Sequence, residues 1–254
     1  MHALPPLRRD STALFLDFDG TLADLAPQPE AVQIPATLVP LLNRLSTALG
    51  GALALVSGRR LSDLDGFLAP LVLPAAAEHG ALRRTGDGAL HLAEVPDLRA
   101  VSAAAEHLAA KHVGLRVETK SAAIALHYRH APELEGLCLA TLQEAVRRHP
   151  DIALVHGKCV VEAKPASVSK GKAIAAFMSE APFIGRTPLF AGDDTTDEAG
   201  FDWVQSQGGM ALKVGMGPSL ARHRCTGPAA LRAWLEAGLQ QLERSSDHPT
   251  RSKA

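Results

Sequence analysis

Runs that are apolar at every position alternate along this chain with stretches in which apolar residues recur every three or four positions. Residues 12–17, GALALVSG at 51–58, LVLPAAA at 71–77, TPLFAG at 187–192 and GGMALKVG at 208–215 belong to the first kind. A strand with one wet face alternates; a strand buried on both faces does not. Between these runs, residues 36–48, 60–68, 170–179, 195–203 and 229–242 carry helical spacing. Pro40 falls near the start of the first helix. The alternation predicts an α/β core with a doubly wound parallel sheet, helices covering both faces.

The middle of the chain breaks this rhythm. VETKSAAIALHY (117–128) reads as two strands joined at Lys120-Ser121, and DIALVHGKCVVEAK (151–164) as a hairpin turning at Gly157-Lys158. Helical stretches at 97–111 and 133–148 separate the pairs. Paired strands with helices between them predict a small α+β layer. The expected organisation is a core at 1–81, an inserted α+β cap at 82–162, and the rest of the core at 163–254.

Composition narrows the function. Of 254 residues 46% are hydrophobic but only 4% aromatic, so Ala, Leu and Val must fill the interior. The net charge is −1, from 26 basic and 27 acidic residues, which leaves no footprint for nucleic acid or an anionic membrane. Cys138, Cys159 and Cys225 have neither disulfide-framework nor zinc-site spacing and fit a reducing compartment, Cys159 being expected in the core. The first twelve residues do not have the pattern of a signal peptide, and no apolar run has the length of a membrane span. A cytoplasmic monomer is expected, with the tail ERSSDHPTRSKA disordered.

The chemistry lies where the apolar runs stop. ALFLDFDGT ends in Asp17 and Asp19, two residues apart and so on one side of an extended segment. Such a pair needs a cation or a proton between its members. LFAGDDTTDE places Asp193, Asp194, Asp197 and Glu198 after another buried run. Helix capping accounts for one or two of these acids, not for four beside Asp17 and Asp19. In a parallel sheet all these strand ends lie on one edge, where ligands bind. Clustered oxygens suit Mg²⁺.

An anion partner is also visible. ALALVSGRR ends in Ser57, Gly58 and Arg59, a hydroxyl and backbone N–H groups at a helix start; by itself Ser57 reads equally as an ordinary N-cap. KPASVSKGKAI sets Lys164, Lys170 and Lys172 around another helix start. A lysine there opposes the helix dipole, so Lys170 is either a solvated side chain or a functional one. The segment is not a phosphate-binding Walker loop, since Ala166 stands where its first Gly belongs. His79 in EHG is a structural turn residue or a substrate contact.

Read together, DFDGT, LVSGR, Lys170 in SKGKA and GDDTTDE resemble, in order and spacing, the four motifs of the haloacid dehalogenase-like phosphatases. The resemblance covers most of the chain and is strongest to the trehalose-6-phosphate phosphatase family, through DFDGTLADL, VETKSAAIALHYR and VVEAKPASVSKGKAI. It implies a doubly wound core with an inserted cap. It also implies a Mg²⁺-dependent phosphatase that cleaves trehalose 6-phosphate through an aspartyl phosphate, the last step of trehalose biosynthesis. Asp17 would be the nucleophile and Asp19 the general acid and base. Asp17, Asp193 and the Asp19 carbonyl would hold the ion. Phe18, Thr21, Ser57, Gly58, Arg59 and Lys170 would surround the phosphoryl group, and Asp194 and Asp197 would support the site. Glu118, Lys120 and Glu162 on the cap would bind the distal sugar; otherwise they are an exposed charged strand edge. The alternatives are a phosphatase or mutase of another sugar phosphate, such as sucrose phosphate, mannosylglycerate phosphate or a hexose phosphate.

Overall fold

A computed structural model describes residues 4, 6–26, 28 and 31–246. Its main sheet has eight strands: β1 (Thr12–Leu16), β2 (Leu53–Val56), β3 (Ala75–Ala77), β4 (Leu82–Arg84), β5 (Leu90–Leu92), β10 (Thr187–Gly192), β11 (Met210–Val214) and β12 (His223–Cys225). The spatial order is β12-β11-β10-β1-β2-β3-β4-β5. All neighbours from β12 to β3 run parallel, and β4 and β5 close the edge antiparallel. The chain leaves β1 toward β2 and β3 on one side and returns later to β10, β11 and β12 on the other. That reversal makes β1 the switch point, where a crevice opens beyond the strand ends.

The uninterrupted apolar runs have a direct cause, because alternate residues enter two different cores. Leu14 and Leu16 of β1, Leu53 and Leu55 of β2 and Leu189 of β10 face α1 (Leu38–Ala48), α2 (Leu61–Leu68) and α7 (Pro228–Ser246). Ala13, Phe15, Ala54, Val56 and Phe190 face α5 (Lys170–Met178) and α6 (Glu198–Ser206). The second core concentrates the few aromatics: Phe15, Phe177 and Phe183 lie with ring centroids 5.1–6.0 Å apart. Burial of this kind contributes about 25 cal/mol per Å² of apolar surface.

A second, four-stranded antiparallel sheet occupies the middle: β6 (Arg116–Thr119), β7 (Ile124–His127), β8 (Ile152–Gly157) and β9 (Val160–Pro165), in the order β6-β7-β9-β8. Helices α3 (Arg99–Ala109) and α4 (Glu135–Val146) pack on it through Val101, Ala105, Cys138 and Leu142. The other face of this sheet carries Glu118 and Glu162, both among the residues lining the cleft above the core.

Three details differ from the sequence reading. Residues 82–92, assigned to the start of the insert, pair with the core sheet as β4 and β5. Runs of three residues carry no signal of which sheet they join. The β8–β9 hairpin turns at Lys158-Cys159, and Cys159, expected in the core, is a half-buried turn residue with φ 62°. Helix α7 extends to Ser246, so the start of the tail expected to be disordered is helical; residues 247–254 lie outside the described residues. Among the described residues, no helix is long and apolar enough to cross a membrane.

Candidate active site

Asp17 follows the last residue of β1, and its backbone N–H donates to the Ala191 carbonyl at 2.9 Å. Leu16 pairs with Ala191, so the two acid-bearing strand ends are adjacent by register. At Gly20, φ is +71° and a Cβ would stand 2.2 Å from Asp193 Oδ2. Only glycine lets this turn pass so close to the second strand end. One carboxylate oxygen each from Asp17, Asp193 and Asp197 falls within 4.8 Å of the others.

Lys170 lies between them. As the first residue of α5 it is buried, and its ammonium donates to Asp17 Oδ1 at 2.8 Å and to Asp197 Oδ1 at 2.6 Å. Burial alone would lower its pKa, but the two aspartates outweigh burial and raise it. Lys164 and Lys172 instead turn to the backbone carbonyls of Val168 and Ser167. Only Lys170 of the three enters the site, which accounts for a lysine placed against the helix dipole.

The remaining acids divide the work. Asp197 Oδ2 accepts from the N–H groups of Asp193 and Asp194, both at 2.9 Å, so Asp197 organises the loop and anchors Lys170. Asp194 caps the following helical turn, accepting from Thr195 N–H at 2.6 Å. Burial raises the pKa of Asp17, and the nearby Asp197 and Asp193 add to the rise against the pull of Lys170. Burial likewise raises Asp193, which pairs with Lys158 from the β8–β9 turn. A carboxylate pair in this condition gains from positive charge, and an ammonium already lies against each member, Lys170 against Asp17 and Lys158 against Asp193. The oxygen donors of Asp17, Asp193 and Asp197 fit a hard ion such as Mg²⁺.

Asp19 does not join that cluster through its side chain. It accepts two hydrogen bonds from Arg59, which also lies over the Phe67 ring at 4.8 Å. Ser57, at the end of β2, is buried and its Oγ accepts from Arg59 N–H at 3.2 Å. Gly58 follows it and packs against the His79 ring. Thr21 donates to Asp17 Oδ2 at 3.3 Å. The Phe18 side chain is fully buried in the core, so only its backbone can face a ligand.

Over this floor the second sheet forms a wall. Lys120 donates to Glu162 at 2.6 Å and to the Gly58 carbonyl at 2.9 Å. Glu118 bonds His127 Nε2 at 2.9 Å, which, with Lys120, lowers its pKa against the opposing effects of burial and Glu162. Glu162 is buried, which by itself would raise its pKa, but His79 and Lys120 reverse the shift and lower it. His79 Nε2 approaches Glu162 Oε1 at 3.3 Å without hydrogen-bond alignment. Floor and wall enclose a cavity of about 210 Å³. Asp17, Asp19, Ser57, Gly58, Arg59 and Lys170 line it from the core, and Glu118, Lys120 and Glu162 from the second sheet.

Among the lining residues not legible as site residues are Lys158 and Arg129. Lys158 sits in a hairpin turn, where a lysine ordinarily points to water, yet it reaches Asp193 across the cleft. Arg129, beyond β7, also lines the cavity, and no spacing in the sequence singles it out.

The family model described as trehalose-phosphatase matches residues 15–230. A trehalose-6-phosphate phosphatase of Escherichia coli strain K12 is 45% identical over 250 residues, 95% of this chain and 94% of that protein. A probable trehalose-phosphate phosphatase of Sinorhizobium fredii is 47% identical over 209 residues, covering 81% of this chain and 78% of its own. Among solved structures, the C-terminal domain of the C. albicans trehalose-6-phosphate phosphatase superposes with a TM-score of 0.82. It covers 91% of this chain and 93% of that one at 20% identity, a likeness of fold.

Proposed function

The chain belongs to the trehalose-phosphatase family, with a haloacid dehalogenase-like fold, and on that premise we propose that it hydrolyses trehalose 6-phosphate to trehalose and inorganic phosphate. The observation that carries this reading is Lys170 clamped between Asp17 and Asp197, opposite the Glu118, Lys120 and Glu162 wall. One end of the cleft suits a phosphoryl group and the other a polyol.

In the proposed reaction Asp17 attacks phosphorus in line, the bond to the sugar oxygen breaks, and the phosphoryl group passes to the carboxylate. Asp19 gives a proton to the leaving oxygen, then takes one from the water that hydrolyses the acyl phosphate. Arg59 donates one hydrogen bond to each Asp19 carboxylate oxygen and so orients that carboxylate toward the cleft, with a lone pair on each oxygen left for these steps. Lys170, Ser57, Thr21 and the backbone at Phe18 and Gly58 fix the phosphoryl oxygens. Asp17, Asp193 and the Asp19 carbonyl would hold Mg²⁺, which neutralises phosphoryl charge when bound. Asp194 and Asp197 support the loop that carries Asp193. Carboxylates suit the sugar end, since each accepts several hydrogen bonds from hydroxyls. In this proposal the enzyme acts in the cytoplasm as a monomer, every residue named above coming from one chain.

Phosphate release across a panel of phosphorylated sugars, with Mg²⁺ or with a chelator, tests this. Mg²⁺-dependent release from trehalose 6-phosphate well above sucrose and hexose phosphates is expected. Equal release from all of them, or an isomerised sugar phosphate, would overturn it.

A further inference from the structure

Glu78 takes no part in the chemistry above, yet it is 2% exposed. It opens a left-handed run at the core's exit toward the second sheet: Glu78 at φ 49°, His79 at 58° and Gly80 at 103°. Two consecutive non-glycine residues in that region are strained, and surrounding contacts must hold them. The backbone contacts point to the phosphoryl end of the site. Glu78 N–H donates to the Arg59 carbonyl and His79 N–H to the Ser57 carbonyl, both at 2.9 Å.

The Glu78 side chain points the other way. One oxygen accepts from Ser121 N–H at 3.3 Å and from the Ser121 hydroxyl; the other accepts from Ala122 N–H at 2.9 Å. Ser121 and Ala122 form the β6–β7 turn, and Ala122 is buried beside Ala81 and Val168. Lys120 immediately precedes that turn. Its ammonium reaches both Glu162 and Gly58. A lysine has several rotatable bonds, so holding its ammonium in one place requires a fixed backbone beneath it.

We infer that Glu78 is a positioning residue: by clasping the Ser121-Ala122 turn to the phosphoryl loop, it sets Lys120 where the sugar end of the substrate binds. The inference rests on the sugar-binding role proposed for Lys120. It ties the turn beneath Lys120 to the phosphoryl loop, alongside the direct Lys120–Gly58 and Arg60–Thr119 contacts.

The test compares wild type, Glu78→Ala, Glu78→Gln, Lys120→Ala and the double variant Glu78→Ala/Lys120→Ala. Substrates are trehalose 6-phosphate and p-nitrophenyl phosphate, which lacks the sugar. Glu78→Ala should lose about 10–100-fold in kcat/KM on the sugar phosphate, the scale of charge-assisted hydrogen bonds, while the aryl ester changes little. Glu78→Gln keeps one carbonyl acceptor and should recover part of the loss. In the Lys120→Ala background the Glu78 substitution should cost less than about threefold, because the two act as one. Hydrogen exchange at Ser121 and Ala122 should quicken in Glu78→Ala. Equal losses on both substrates, additive losses in the double variant or unchanged exchange would each overturn the inference. Should Glu78→Ala not fold, exchange and the substrate split in Glu78→Gln decide. If Lys120→Ala spares trehalose 6-phosphate, the sugar-binding reading fails, and exchange at the turn still reports whether the clasp exists.

Discussion

Arg59 holds Asp19 in a two-pronged ion pair, Nε on Oδ2 at 2.6 Å and Nη2 on Oδ1 at 2.7 Å. The pair separates Asp19 from Asp17, whose partner is Lys170. The two acids of DFDGT thus have different cations and, in the proposed reaction, different tasks. Asp19→Asn should still accept the phosphoryl group but release it slowly. Rapid quenching followed by intact-mass spectrometry should find a persistent phosphoenzyme; wild-type turnover would remove Asp19 from the mechanism.

Asp17→Asn keeps the shape of the side chain and loses the nucleophile. Phosphate release should fall by at least about 1000-fold, the scale seen when a central member of a catalytic group is removed. Thermal unfolding should show that the fold persists. Substantial remaining turnover would require a different nucleophile.

Lys158 pairs with Asp193, so a divalent cation held by Asp193 would have to compete with it. Lys158 is half exposed, so the pair is worth about 0.2–1 kcal/mol. Lys158→Ala should therefore lower the Mg²⁺ concentration for half-maximal binding by up to about fivefold, read by calorimetric titration without substrate. Unchanged or weaker binding would show that the lysine does not compete.

Glu118→Ala should separate substrates. Glu118 belongs to the second sheet and is tied to His127, away from the Asp17 cluster. Loss of an acceptor for sugar hydroxyls should cost about tenfold or more on trehalose 6-phosphate. A small aryl phosphate should be hydrolysed as before. Equal losses on both would place Glu118 outside sugar recognition.

Glu162 predicts an acid-sensitive contact. Its pKa in the fold is below the ordinary glutamate value, so the unfolded chain binds the proton more readily. The stabilisation is present above about pH 4.3, the unfolded value, and is lost as pH falls through the folded one. Urea midpoints measured from pH 6 down to 3 should show the gap between wild type and Glu162→Gln begin to narrow below about pH 4.3. A constant gap between the two would refute the assignment.

Much of the core was legible because its signals are local. Each strand of the parallel sheet feeds two hydrophobic layers, which removes alternation from the sequence and marks the strand as doubly covered. The acids follow directly on the ends of β1 and β10, and Ser57 on that of β2. Phe18 shows where such reading stops. It lies in the motif, but its ring stacks on Phe67 at 5.7 Å inside the core. Adjacency in a motif does not tell a side chain pointing into the core from one pointing into the cleft.

By itself the sequence determined that acids stand at the ends of buried strands and that a lysine opens a helix near them. Those facts follow from chain order and strand-and-turn geometry. Only the tertiary structure decided the pairing. Lys170 meets Asp17 across 153 positions and Asp197 across 27; Arg59 meets Asp19 across 40. Lys158 meets Asp193, and Glu78 meets the Ser121 turn, only because the second sheet folds back over the core. Which partner a charge finds depends on how separate elements dock, and local propensity does not encode that distance.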